Sequence, residues 1–118
     1  MLITAAVLFA IAALGGLAMA YIHFKQDRNP PGALAALHGI LAATALVILL
    51  WAVVQTGAGG WVAWALGLFV VAALGGFFLV SYHIRKQRLP SPVVVIHALV
   101  AVTAFLLLLG GLAGFAAS

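Results

Sequence analysis

The residues of this chain best suited to chemistry are four histidines: His23, His38, His83 and His97. They fall into two matched pairs. "HFKQDRNPPGALAALHG" runs from His23 to Gly39, and "HIRKQRLPSPVVVIHA" from His83 to Ala98. Imidazole can ligate a metal, or donate or accept a hydrogen bond, according to which ring nitrogen carries the proton. Each pair brackets a short charged stretch in a chain that is 68% apolar and only 5% charged. Every charged residue lies in those two stretches: Lys25, Asp27 and Arg28 in the first, Arg85, Lys86 and Arg88 in the second.

The elements that position these residues follow from composition. A chain of 118 residues makes one domain, and this one has too few charges to build a solvated surface. A helix needs about 20 apolar residues to cross the hydrocarbon core of a bilayer. Four such runs fit: Leu2 to Phe24, Ala33 to Gln55, Val62 to Tyr82 and Val93 to Ala116. The runs are continuous and do not alternate, so strands are not expected. "AMA" at Ala18 to Ala20 looks like a cleavage site, but no basic residue precedes the apolar run, so the first segment is read as a true helix. The positive-inside rule makes the charged loops 25–32 and 85–91 cytoplasmic and puts both termini outside, in the inner or plasma membrane of a bacterium. Trp51, Trp61 and Trp64 cluster at the opposite face as an aromatic belt.

The chain also repeats itself. Leu8 to Arg28 aligns with Leu68 to Arg88 at a constant offset of 60, sharing Leu-Phe, Ala-Ala-Leu-Gly-Gly, His and Arg. Beyond the loop the offset becomes 59, pairing Pro31 with Pro90, His38 with His97 and Ala42 with Ala101. The expected fold is therefore an all-α membrane protein with a single four-helix transmembrane domain. It is an up-down-up-down bundle made from a tandem duplicated helical hairpin, with repeat 1 over about 1–56 and repeat 2 over about 61–118. Each copy crosses the membrane twice, so a pseudo-twofold axis should run along the membrane normal.

This symmetry puts all four histidines at one end. His38 and His97 should face each other across the axis, below the loops and at equal depth. Ala42 and Ala45 share the face of His38, and Ala101 and Ala104 that of His97. Gly16 and Gly76 lie seven residues before His23 and His83, again on the histidine face. The interior there lacks bulky side chains, which serves either close helix packing or a slot for a flat ligand. A flat, apolar ligand with two axial positions is haem. Its iron would lie between His38 and His97, and its lower edge would pass Gly16 and Gly76. His23 and His83 would flank its propionates, with Lys25, Arg28, Arg85 and Arg88 neutralising them above. A structural reading competes: an intramembrane histidine can simply hydrogen-bond a neighbouring helix. Thr44 and Thr103 are expected to bond back to their own helices, and Tyr21 and Tyr82 to anchor at the interface.

Several classes are excluded or disfavoured. The absence of cysteine removes thiolate metal sites, iron–sulfur clusters, disulfides and thioether-attached haem. The charge of +4 sits in two loops and forms no nucleic-acid stripe. Carriers of cations or protons usually place carboxylates in the membrane, whereas the only acid here is Asp27 in a loop.

With "ALHG" around His38, "VIHA" around His97 and "ALGG" at Gly15–Gly16 and Gly75–Gly76, the chain resembles the small membrane b-type cytochromes, the cytochrome b561-like bis-histidine haem bundles. That resemblance implies haem b held by His38 and His97, and redox exchange with a quinol, a small oxidant or a partner protein. The family carries a haem near each membrane face, whereas the outer half here offers no histidine, methionine or cysteine as ligand. One haem is the expected number. Two haems, with His23 paired to His38 and His83 to His97 as ligands, is the alternative. Any catalysis would be that of a haem-dependent oxidoreductase, and no residue is assigned a catalytic role. Two other classes compete: an accessory or assembly subunit without a cofactor, and a carrier of metal ions or small solutes. A bundle this thin is also compatible with homo-oligomers.

Overall fold

The computed structural model describes residues 1–115. Four helices follow one another: α1 (Leu2–Lys25), α2 (Gly32–Thr56), α3 (Gly60–Ile84) and α4 (Ser91–Leu112). Each is long and apolar enough to span a membrane, and among the described residues there is no strand. The bundle is 43 Å long and 19 Å across, more than the roughly 30 Å of a hydrocarbon core. Large apolar side chains such as Leu14, Trp64, Phe77 and Leu99 point outward, as lipid-facing residues do.

Local chemistry sets the helix ends. Beyond α1, Asn29, Pro30 and Pro31 cannot continue a helix, and Asp27 turns the chain through a left-handed φ of 52°. α2 closes on Gly57, which takes a left-handed φ of 67° and donates its N–H to the Val53 carbonyl. α4 begins at Ser91, with Pro92 in its first turn, where a missing N–H costs nothing. It stops at Leu112, short of the expected Ala116, which lies outside the described residues. Glycines account for the difference: Gly110 and Gly111 weaken the last turn, and Gly114 takes a φ of 92°. The Phe115 N–H then closes back onto the Gly110 carbonyl.

The helices form a square, with α1–α2, α2–α3, α3–α4 and α1–α4 as its sides. α1 and α3 are therefore diagonal, as are α2 and α4. Packing is tighter within each hairpin than between hairpins. Residues related by the internal repeat meet on the axis. Phe9 of α1 and Phe69 of α3 stack face to face, with ring centroids 3.7 Å apart and planes within 2°. Around them a core of Ala5, Ala45, Leu49, Ala65, Ala104 and Leu108 is fully buried. This core fills only the half of the bundle that holds the tryptophans. On the charged side of Ala12 and Ala72, His23 is the one fully buried residue in any helix. The interior there is lined by half-buried side chains, and the histidines lie among them.

The two charged loops are tied to each other. The Asn29 side chain donates to the Gln87 carbonyl at 2.8 Å and accepts the Leu89 N–H at 3.0 Å. Arg88 donates to Asp27 at 3.2 Å and to the carbonyl of His23 at 2.6 Å. These bonds join the hairpins at the end where their apolar packing is thinnest.

A candidate two-histidine centre on the bundle axis

His38 and His97 approach each other across the axis with ring centroids 6.4 Å apart and planes at 77°. Both rings are held the same way. The Nδ1–H of His38 donates to the Ala12 carbonyl at 2.7 Å, and that of His97 to the Ala72 carbonyl at 2.8 Å. A carbonyl can only accept, so Nδ1 carries the proton in both rings and Nε2 keeps its lone pair. Among the described residues no hydrogen-bond partner meets either Nε2. An N–H bound to a carbonyl, with the other nitrogen left basic, is how proteins orient imidazole toward a metal.

The donors come from within each hairpin: α1 holds the histidine of α2, and α3 that of α4. The bonds need close approach, and glycine supplies it. A Cβ added at Gly16 would lie 3.2 Å from Cε1 of His38, and one at Gly75 3.4 Å from Nδ1 of His97. Gly15 and Gly76 border the same rings. The glycines thus cradle the imidazoles themselves. They do not lie a layer below them, as the sequence reading placed Gly16 and Gly76. What lies below is the Phe9–Phe69 stack. Ala42 and Ala101 stand half-buried one turn along from the histidines, and the next turn, Ala45 and Ala104, is fully buried.

Replacing Gly16 with valine should therefore push the His38 ring off the Ala12 carbonyl. Gly39 is a control, because a Cβ there meets nothing within 4 Å. Gly16→Val should weaken binding of any ligand held by the pair by tenfold or more, the usual effect of disturbing a ligand's orienting bond. Gly39→Val should leave it unchanged. Ligand titration of the purified variants reads the difference.

The outer histidines are not a matched pair. His23 is 2% exposed, its Nε2 lies 2.9 Å from the Ser91 hydroxyl, and its Nδ1 is buried without a partner. His83 is half-buried and faces Gly32, the repeat equivalent of Ser91; a Cβ at Gly32 would lie 3.6 Å from its Nε2. The cations differ as well. Arg88 is engaged by Asp27 and by the His23 carbonyl. Arg85 bonds back to Ser81 and covers the Tyr82 ring, and Arg28 reaches Gln26. Among the described residues Lys25 has no hydrogen-bond partner. Thr44 and Thr103 donate back to Ile40 and Leu99, as expected.

The residues missed by sequence reasoning are Ala12 and Ala72, which act through backbone carbonyls, and Ser91. The repeat carried a signal for the last: at an offset of 59, Ser91 aligns with Gly32, a break in symmetry next to a histidine.

Among the described residues, no three histidine, aspartate or glutamate side chains converge as a multi-ligand metal site requires. The arrangement brings two imidazoles from diagonal helices together near the axis, each held through Nδ1. No known protein family, characterised protein or solved structure matches the chain.

Proposed function

We propose that this chain is a membrane b-type cytochrome that holds one haem b between His38 and His97. The observation that carries the reading is the pair itself. Both Nδ1–H groups are tied to carbonyls, both Nε2 lone pairs are free, and the ring centres are 6.4 Å apart. A metal bound from opposite sides by two imidazoles, at roughly 2 Å per bond, sets the ring centres about 6 Å apart. On the charged side of the pair the half-buried residues, Met19, Ile22, Leu34, Leu79 and Val94 among them, give a flat apolar ring apolar surroundings.

Haem b, when bound, supplies one-electron redox chemistry at its iron. The rest is the work of the chain. Ala12 and Ala72 fix the tautomer and plane of each ligand ring, and a hydrogen-bonded Nδ1–H makes Nε2 a stronger base. The Phe9–Phe69 stack closes the apolar floor beneath the site and keeps water from the tryptophan end. Lys25, Arg28 and Arg85 at the charged end receive acidic groups, while Arg88 braces the loops. His83 flanks the same edge. Electrons would pass to or from a quinol, a small oxidant or a partner protein at that end, which the positive-inside rule makes cytoplasmic.

An optical spectrum of the purified protein, with and without dithionite, tests this directly. After expression with ample haem supply the protein should be red, with a Soret band and split α and β bands on reduction. A colourless preparation that takes up no haem on titration rejects the proposal. Zinc or copper without iron in elemental analysis would favour a metal-ion carrier instead.

A further inference from the structure

Arg85 caps α3, and its side chain turns back along the helix instead of up into the loop. Its Nε–H donates to the Ser81 carbonyl at 3.1 Å, and Nη2 donates to the Ser81 hydroxyl at 3.4 Å. That hydroxyl is fixed in turn, because it donates to the Phe78 carbonyl at 2.6 Å. The guanidinium also lies over the Tyr82 ring, with Cζ 4.6 Å from its centroid, and Tyr82 packs on Phe78 at 5.2 Å.

This arrangement is at lipid depth and faces lipid. The 25 residues of α3 extend about 38 Å, against about 30 Å of hydrocarbon, so a centred helix stands clear by about 4 Å at each end. Ser81 lies three residues before the end at Ile84, about 4–5 Å in, so the guanidinium sits at the boundary of acyl chains and headgroups. Arg85 lies about 140–160° around the helix from the core residues Phe69 and Ala72. Leu74 and Phe78 share its face and are 64% and 49% exposed.

The chain supplies no counter-ion there. Its one acid is Asp27, which Arg88 engages. A guanidinium has five N–H groups, and Ser81 takes two of them along the Nε–Nη2 edge. The Nη1–Nη2 edge meets no partner among the described residues. Its two parallel N–H groups match two oxygens of a phosphate. The repeat provides an internal control. At an offset of 60, Phe78, Ser81, Tyr82 and Arg85 align with Ala18, Tyr21, Ile22 and Lys25, so the first hairpin has neither the hydroxyl, the ring nor the fork at these places.

We infer that Arg85, oriented by Ser81 and Tyr82, binds the phosphate of an anionic phospholipid in the leaflet at the charged end. The lipid lies against the outer face of α3, on one side of the pseudo-twofold. This site is independent of any ligand held by His38 and His97.

The test titrates phosphatidylglycerol into the purified full chain in neutral micelles and reads bound lipid by native mass spectrometry, with phosphatidylcholine as the zwitterionic comparison. The wild type should retain one phosphatidylglycerol in preference to phosphatidylcholine. Arg85→Gln should weaken it roughly tenfold to a hundredfold, the worth of a charge-assisted hydrogen bond. Arg85→Lys, which keeps the charge and guards against a folding defect, should lose most of the same affinity. Tyr82→Leu should weaken it several-fold. Lys25→Gln makes the same charge change at the repeat-related place and should alter binding by less than twofold. Equal losses in Lys25→Gln and Arg85→Gln would reduce the effect to net charge and overturn the inference. Unchanged lipid retention in Arg85→Gln would leave Arg85 as a helix cap alone and overturn it too. Displacement of the lipid by inorganic phosphate, but not by chloride at equal ionic strength, would assign the site to a free anion instead.

Discussion

Replacing His38 with alanine should abolish the low-spin haem spectrum, and replacing His97 should do the same. Each substitution would remove one of the two nitrogens proposed to hold the haem, and the outer histidines are placed elsewhere: His23 is engaged by Ser91, and His83 lies against Gly32 near the loops. The two losses should match, because the repeat gives each ring the same partners. Ala12 and Gly16 serve His38, and Ala72 and Gly76 serve His97. Haem affinity should fall by at least a hundredfold in either variant, exceeding the ten- to hundredfold loss typical of disturbing only an orienting partner. Any residual pigment should be high-spin, since one imidazole remains. Optical titration and electron paramagnetic resonance of both variants check this, with His83→Ala as the comparison. A low-spin spectrum that survives loss of His38 or His97 but disappears with His23 and His83 would transfer the ligand role to the outer pair.

The architecture was legible in the sequence for reasons that single residues show. Four long apolar runs allow only helices in a bilayer, because backbone polar groups there must be satisfied internally. The offset of 60 between Phe9 and Phe69, and of 59 between His38 and His97, placed each pair at equal depth before any contact was known. Short loops then made α2 and α4 diagonal. The details of the site were less legible. Gly16 announces a need for space but does not say what fills it, and here it is an imidazole ring. Ala12 gives no sign at all, because its contribution is a carbonyl that every residue possesses. The end of α4 was misplaced because apolar residues continue past Leu112 to Phe115, while Gly110 and Gly111 weaken the last turn and Gly114 takes a left-handed φ. The strongest departure lies at His23 and His83. A repeat implies equivalence, and a single change between Gly32 and Ser91 removes it.

The second large effect concerns the floor of the site. Phe9→Ala should destabilise the bundle by about 2 kcal/mol. In a soluble core such a change costs more, since lost transfer from water adds to the cavity. Here the separated helices are already in an apolar medium, and lipid is no poorer a solvent for phenylalanine than the interior, so the transfer contribution largely drops out. What remains is the cavity, at about 24 cal/mol per Å³ over roughly 100 Å³ if the site does not collapse. Phe69→Ala should cost the same, because the two rings are related by the pseudo-twofold and stack on each other at 3.7 Å. Their effects should not add. Once one ring is gone the other has lost its face partner, so the double variant should be more stable than the sum by about 0.5–1.5 kcal/mol, the range of measured aromatic couplings. Reversible unfolding in mixed micelles, followed by helicity, gives all four stabilities of the cycle. Additive losses would mean that the rings merely fill space side by side. A coupling in this range would mean that the stack joins the two hairpins, which pack less tightly with each other than within themselves, and that the histidine pair above it owes its spacing to that joint.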